Sequence, residues 1–379
     1  MGPGDPVLGN GKLARRSRGR PGRPRLSGGA GGRFSPATQP TAPPCTDFDL
    51  AYFKAYSHLG VHEEMLKDRV RTESYRNAIR QHQDFIAGKV VLDVGCGTGV
   101  LSIFCALAGA RRVYAVEASD IAVQAADIVN ENNLSDKIIV LHGRVEDVDI
   151  DEQVDVIISE WMGYILLYES MLASVIFARD KWLKPGGLIL PSHATLYMAP
   201  ITNPERYHDS IDFWQDVYGI KMSSMKSLAK QCAFIEPSVE TITGESVLTW
   251  PCVVMQVDCY TIKVEELQSI TANFEFSSML QAPLHGFGFW FDVEFNGPMG
   301  IEANSDATVV LSTAPEDSPT HWQQVFVHYF IVSFSILSQN VLLKLSVKHG
   351  LEKTYHCRLL IYEFFSESLC IWQNIYLFS

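Results

Sequence analysis

The chain has 379 residues, 47% apolar and 20% charged, enough for two domains with a substantial core. No apolar run reaches the ~20 residues of a membrane-spanning helix; the longest, Val325 to Leu337, is interrupted by His328, Ser333 and Ser335. The net charge of −12 is uneven: residues 1–44 hold Lys12 and seven arginines against Asp5, a net +7, which leaves −19 on the rest. Such an acidic body disfavours direct nucleic-acid binding and attracts basic peptides. The eight cysteines form no Cys-x-x-Cys pair, which argues against a metal site and a disulfide framework and for a reducing compartment.

Residues 1–44, rich in Gly, Pro, Arg and Ser, read as a disordered basic arm. Its Arg18-to-Arg25 run suits a nuclear address, an organelle transit segment or a solvated tail. From Phe48 to His82 the helical spacing predicts two helices. Strands are then expected at Lys89–Val94, Arg112–Val116, Lys137–Leu141 and Val154–Ser159, with helices at Leu101–Ala108 and Ile121–Asn132 between them. Lys184 to Gly187 reads as a turn before a fifth strand, Leu188–Leu190. Strict alternation predicts an α/β, doubly wound parallel sheet over 45–191. After Pro191, segments Ala194–Ala199 and Val247–Val310 predict a second, antiparallel β domain over 192–324, a meander interrupted by a helical insertion at 206–218.

The turn Gly95-Cys96-Gly97-Thr98-Gly99 follows the buried strand ending in Asp93-Val94. Glycines let the chain turn tightly and let a ligand approach the backbone. Glu117 closes the next strand, where a carboxylate can accept two ribose hydroxyls. A dinucleotide enzyme shares much of this, but its fingerprint is Gly-x-Gly-x-x-Gly. The Gly-x-Gly-x-Gly form suits a cofactor without a pyrophosphate, S-adenosylmethionine. Glu146, beyond the third strand, can accept an adenine amino group or be part of a solvated acidic turn.

Glu160 ends the fourth strand, and Glu169 lies nine residues on, after a Gly163-Tyr164 turn, at the start of an apolar helix. Two carboxylates converging among Trp161, Met162 and Tyr164 repel each other and lose hydration, which calls for a cation. A guanidinium, planar with five donors, can be gripped by both. The plainer alternative for Glu169 is a helix-terminus charge.

These features, with Tyr52-Phe53-Lys54-Ala55-Tyr56, His62-Glu63-Glu64-Met65-Leu66, Asp68-Arg69-Val70-Arg71-Thr72 and Thr320-His321-Trp322, strongly resemble the protein arginine methyltransferases from Tyr52 to about Gln324. The resemblance implies a Rossmann-like cofactor domain, then a β-barrel-like domain with a helical dimerisation arm at about 201–225. It implies cofactor roles for His62, Arg71 (on the methionine carboxylate), Gly95, Glu117 and Glu146. Glu160 and Glu169 would hold the substrate arginine, Tyr52 and Tyr56 would close over the cofactor, Met65 and Met171 would shape the pocket, and His321 would complete the acceptor site. The product would be asymmetric dimethylarginine on histone tails and Arg/Gly-rich proteins, made by a homodimer in nucleus and cytoplasm.

After Gln324 the family pattern is expected to stop. Residues 325–379 hold no Pro, no Asp and only Gly350, while 32 of the 55 are apolar; a meander needs more turn chemistry than that, so a segment replacing the last barrel strands is expected, the alternative being a true strand set with unusual loops. The leading reading is an active arginine methyltransferase; the second, should the barrel be incomplete, is a protein that binds cofactor or partners without turnover. A methyltransferase for small carboxylates or amines is a third reading, one with no use for the paired glutamates.

Overall fold

The computed structural model describes residues 43–233, 237–276, 282–297, 308–328, 341–349, 355–363 and 371–377. The basic arm up to residue 42 and the connections of the C-terminal stretch lie outside them. Where two helices were expected before the first strand, four form: α1 (Asp47–Tyr56), α2 (Leu59–Lys67), α3 (Arg69–Gln81) and the single turn α4 (Gln83–Ile86). The divisions are made by local polar chemistry. Thr46 and Asp49 exchange hydrogen bonds in a capping box that starts α1. Ser57 donates its hydroxyl to the Phe53 carbonyl where α1 ends, and Asp68 caps α3 by accepting from the Arg71 N–H at 2.9 Å.

Strands β1 (Val90–Val94), β2 (Arg112–Glu117), β3 (Ile138–His142), β4 (Val154–Ile158) and β5 (Leu183–Leu190) form a sheet of order β3-β2-β1-β4-β5. Every neighbouring pair is parallel. Helices α5 (Val100–Leu107), α6 (Ala122–Glu131) and α7 (Leu172–Trp182) make the intervening connections. β1 is buried along its whole length, as a strand covered on both faces must be. The predicted turn at 184–187 is instead part of β5, which continues through Gly186 at φ +75° and a register shift opposite Val154–Val156. The order of strands reverses between β1 and β4, and in such sheets ligands bind at the carboxyl edge of that switch point.

The next strands are β6 (His193–Ile201), β7 (Ser238–Glu240), β8 (Cys252–Asp258), β9 (Ser269–Phe276), β10 (Gly286–Glu294), β11 (Val310–Ser312) and β12 (Gln324–His328). They are antiparallel wherever they pair, but not a meander. The order β7-β12-β10-β6-β8, with β11 also on β10, sets strands distant in sequence side by side. The helical insertion separates β6 from β7, and β6 lies between β10 and β8. That insertion is longer than expected, comprising α8 (Pro204–Ile211) and α9 (Lys226–Ala233) with 3-10 turns between them; the four-residue α10 (Val264–Leu267) precedes β9.

The C-terminal stretch also departs from expectation. Its described backbone forms β13 (Val341–His349), β14 (Tyr355–Glu363) and β15 (Ile371–Leu377), antiparallel in the order β15-β14-β13-β9. High β-propensity produces strands there despite the scarcity of turn residues.

Candidate active site

The glycine turn leaves β1 with Gly95, Gly97 and Gly99 all at positive φ. At Gly95 it is the positive φ that calls for glycine, since a Cβ there would meet only the mobile end of the Met171 side chain. The Gly95 and Cys96 N–H groups both donate to the Val116 carbonyl, at 2.9 and 3.0 Å, which ties the turn to β2. Glu117, at the end of β2, is buried and accepts the Gly97 and Ser119 N–H groups, each at 2.8 Å. Its carboxylate is thereby held at the wall of an open cavity. Behind the turn, Asp93 is fully buried and accepts the Ser102 hydroxyl at 2.6 Å; burial pushes its carboxyl up to about 7.

Around this cavity the structure gathers Tyr56, His62, Met65, Arg71, Gly95, Glu117, Glu146, Glu160, Glu169 and Met171 from the residues expected by sequence. Tyr52 lines it as well. His321 is the exception: it lies behind Asp68, with its Nδ1 2.7 Å from that carboxylate and its own N–H donating there at 2.8 Å. Burial raises the Asp68 carboxyl, but the bonds from the His321 ring and from the Arg71 and His321 N–H groups outweigh it and hold it below the usual range. Asp68 therefore joins the start of α3 to the loop carrying His321, 253 residues away. Sequence reading passed over Asp68, although an Asp directly before a helical run is a capping signal.

The ends of β4 and β1 are stitched together by the Ser159 hydroxyl, which donates to the Val94 carbonyl at 2.8 Å, while Tyr75 donates to the Ser159 carbonyl at 3.0 Å. Glu160 then projects toward Arg71, whose Nη2 and Nε lie 3.0 and 3.1 Å from one carboxylate oxygen. Both side chains are less than a tenth exposed. The other Glu160 oxygen is buried without a hydrogen-bond partner among the described residues. Read as a surface helix residue, Arg71 would have been misplaced. It shares the buried face of α3 with Tyr75, Ala78 and Ile79, a spacing that marks the inner stripe of a helix.

The loop from Glu160 to Met171 doubles back through Ile165, Leu166 and Ser170, all at positive φ, a cost typical of backbone held for function. Gly163 makes the return possible, since a Cβ there would lie 2.6 Å from Glu169 Cγ. Glu169 does not cap the following helix: α7 begins at Leu172 after Met171, with no side-chain cap. Instead one carboxylate oxygen accepts from the Tyr52 and Tyr56 hydroxyls at 2.7 and 2.5 Å. Burial pushes the Glu169 carboxyl up to about 7; the two tyrosines oppose that shift and the neighbouring Glu160 adds to it.

The cavity wall suits S-adenosylmethionine. It presents the Arg71 guanidinium, the fixed Glu117 carboxylate beside the glycine turn, and Glu146, held by the Ser174 hydroxyl at 2.7 Å. A charged carboxylate, a ribose diol and an amine-bearing base would each meet a complementary group.

Comparison with known proteins agrees. Residues 192–362 match the arginine methyltransferase oligomerization subdomain, and residues 77–192 match the ribosomal protein L11 methyltransferase family. The first match runs well past Gln324, where the family pattern was expected to stop. A probable protein arginine N-methyltransferase 6.2 of Oryza sativa subsp. indica is 72% identical over 308 residues, covering 76% of this chain and 78% of that protein. A probable protein arginine N-methyltransferase 6 of Arabidopsis thaliana is 64% identical over 320 residues, covering 77% and 74%. The solved Trypanosoma brucei PRMT1 enzyme–prozyme heterotetrameric complex with AdoHcy superposes with a TM-score of 0.75 at 35% identity, covering 86% of this chain and all of that one. A parallel sheet with a glycine turn at its switch point, an antiparallel β domain after it, and relatives this close in sequence have one reading: the chain belongs to the protein arginine N-methyltransferase 6 family and is an S-adenosylmethionine-dependent protein arginine methyltransferase.

Proposed function

We propose that the chain methylates arginine in histone tails and Arg/Gly-rich proteins, giving monomethyl and then asymmetric dimethylarginine. The observation that carries this is the convergence of Glu160 and Glu169 on one cavity. In this reading His62, Arg71, Gly95, Glu117 and Glu146 hold S-adenosylmethionine, which supplies an electrophilic sulfonium methyl when bound. Glu160 and Glu169 bind the substrate guanidinium from two sides and draw its positive charge toward one nitrogen. The other nitrogen regains a lone pair, which a free guanidinium, with its pKa above ~12, does not offer. Tyr52 and Tyr56 fix Glu169, and Met65 and Met171 limit the space around the acceptor. His321, held by Asp68, completes the acceptor side. Orientation and exclusion of water are worth up to ~7–11 kcal/mol in favourable cases.

Glu169 gives this reading a pH signature. Its carboxyl, raised from the ordinary 4.5 to about 7, binds more protons folded than unfolded between those values. Its contribution to stability is therefore greatest below 4.5 and is lost as pH rises through 7. A guanidinium in the site favours the anion, so binding an arginine peptide near pH 7 is expected to expel a proton. Calorimetry in two buffers of different ionisation enthalpy reads that proton, and Glu169→Gln should remove it. Equal heats in both buffers for the wild-type chain would contradict the assignment.

The assembly proposed is a homodimer. It is supported by the match to an oligomerization subdomain and by exposed apolar side chains on the insertion, Phe213, Tyr218, Ile220 and Leu228; sedimentation as a monomer would refute it. A nuclear and cytoplasmic location is proposed from the family resemblance, with the basic arm leaving an organelle transit segment as the alternative; a tagged chain imaged inside an organelle would refute it.

A further inference from the structure

We infer that Arg144 is a positioning residue that clasps the lead-in to α1 against the adenine end of the cofactor site, so that cofactor retention and closure of α1 depend on one guanidinium. The inference rests on the reading that this cavity holds S-adenosylmethionine. Arg144 leaves the turn just after β3 with a side chain only 12% exposed. Its Nε lies 3.4 Å from one Glu146 oxygen and 3.6 Å from Asp147. Its Nη2 donates to the Pro43 carbonyl at 2.9 Å, across 101 residues of sequence. The second Glu146 oxygen accepts from Ser174 on α7, so this carboxylate is held from both sides.

Pro43 stands three residues before Thr46, the residue that caps α1. From Thr46 onward the capping box makes α1 a rigid lever, and that lever carries Tyr52 and Tyr56 to Glu169. The carboxyl end of α1 is separately anchored, with the Ser119 hydroxyl donating to the Tyr56 carbonyl at 3.4 Å and the Asp120 N–H to the Ser57 hydroxyl at 3.2 Å. Arg144 holds the amino end. The planar guanidinium can serve a carboxylate and a carbonyl at once because its donors point in different fixed directions, which one ammonium cannot reproduce. The Pro43 carbonyl is exposed, so the clasp is worth about the factor of five that a hydrogen bond of modest net strength supplies.

The test uses the full chain as wild type, Arg144→Ala and Arg144→Lys. It measures dissociation of S-adenosylhomocysteine and amide hydrogen exchange with that ligand bound. Expected for Arg144→Ala is release about fivefold faster, with exchange over residues 43–56 faster by a similar factor and unchanged in β1, β4 and α7. Arg144→Lys keeps a positive charge beside Glu146 but cannot hold Pro43 as well, so its exchange over 43–56 should match Arg144→Ala. Wild-type release and exchange in Arg144→Ala, or full rescue of exchange by lysine, would overturn the clasp. A wild-type chain that fails to bind S-adenosylhomocysteine would overturn the cofactor reading on which it rests.

Discussion

Glu160→Gln is expected to lower kcat by about 10³-fold, as loss of a charge-stabilising or proton-handling group does, while S-adenosylmethionine still binds. The substitution preserves shape and hydrogen-bonding reach but removes the negative charge that a guanidinium needs on one side. The amide oxygen can still accept from Arg71, whose Nη2 and Nε both lie on a single Glu160 oxygen, so the guanidinium stays in place and cofactor affinity should hold. Separate measurement of kcat and of cofactor Kd distinguishes the two roles. Unchanged turnover would remove Glu160 from the acceptor site, and lost cofactor binding would move it into the cofactor site.

Arg71→Leu should do the opposite, weakening cofactor binding and stability together. The Arg71–Glu160 pair is almost fully enclosed, and one Glu160 oxygen already lacks a partner among the described residues. Removing the guanidinium leaves a buried carboxylate uncompensated, at a cost of about 3 kcal/mol. Adding Glu160→Gln to that variant removes the orphaned charge, so the double variant should melt higher than Arg71→Leu alone while remaining inactive. Independent, additive losses in the two variants would show that the pair is not energetically coupled.

What the sequence revealed follows from how far apart the interacting residues stand. The parallel strands were visible because each is a short continuous apolar run, and their ends placed Glu117, Glu160 and the glycine turn at one sheet edge. The nine-residue return from Glu160 to Glu169 was legible for the same reason, since Gly163 marks the bend. The pairing of Arg71 with Glu160 was not, because 89 residues separate the partners and an arginine in a helix ordinarily faces water. Asp68 with His321 and Arg144 with Pro43 are equally non-local. The α1–α4 divisions were missed because they depend on single capping hydrogen bonds rather than on hydrophobic periodicity. The C-terminal strands were misjudged by weighting turn residues above β-propensity. Among β6 to β12, β6 and the strands between Val247 and Val310 were foreseen, while β7 and β12 were not; the order was not foreseen either, because no local pattern tells β6 to take β10 as its neighbour.

The central claim is that the Glu160–Glu169 cavity methylates a guanidino nitrogen. It is tested most directly by incubating the full chain with methyl-labelled S-adenosylmethionine and a mixture of Arg/Gly-rich and histone-tail peptides, then hydrolysing the peptides and separating the arginine derivatives. The account predicts label in monomethylarginine at early times and in asymmetric dimethylarginine later. Label confined to other residues, or no label from a chain that binds the cofactor, would contradict it.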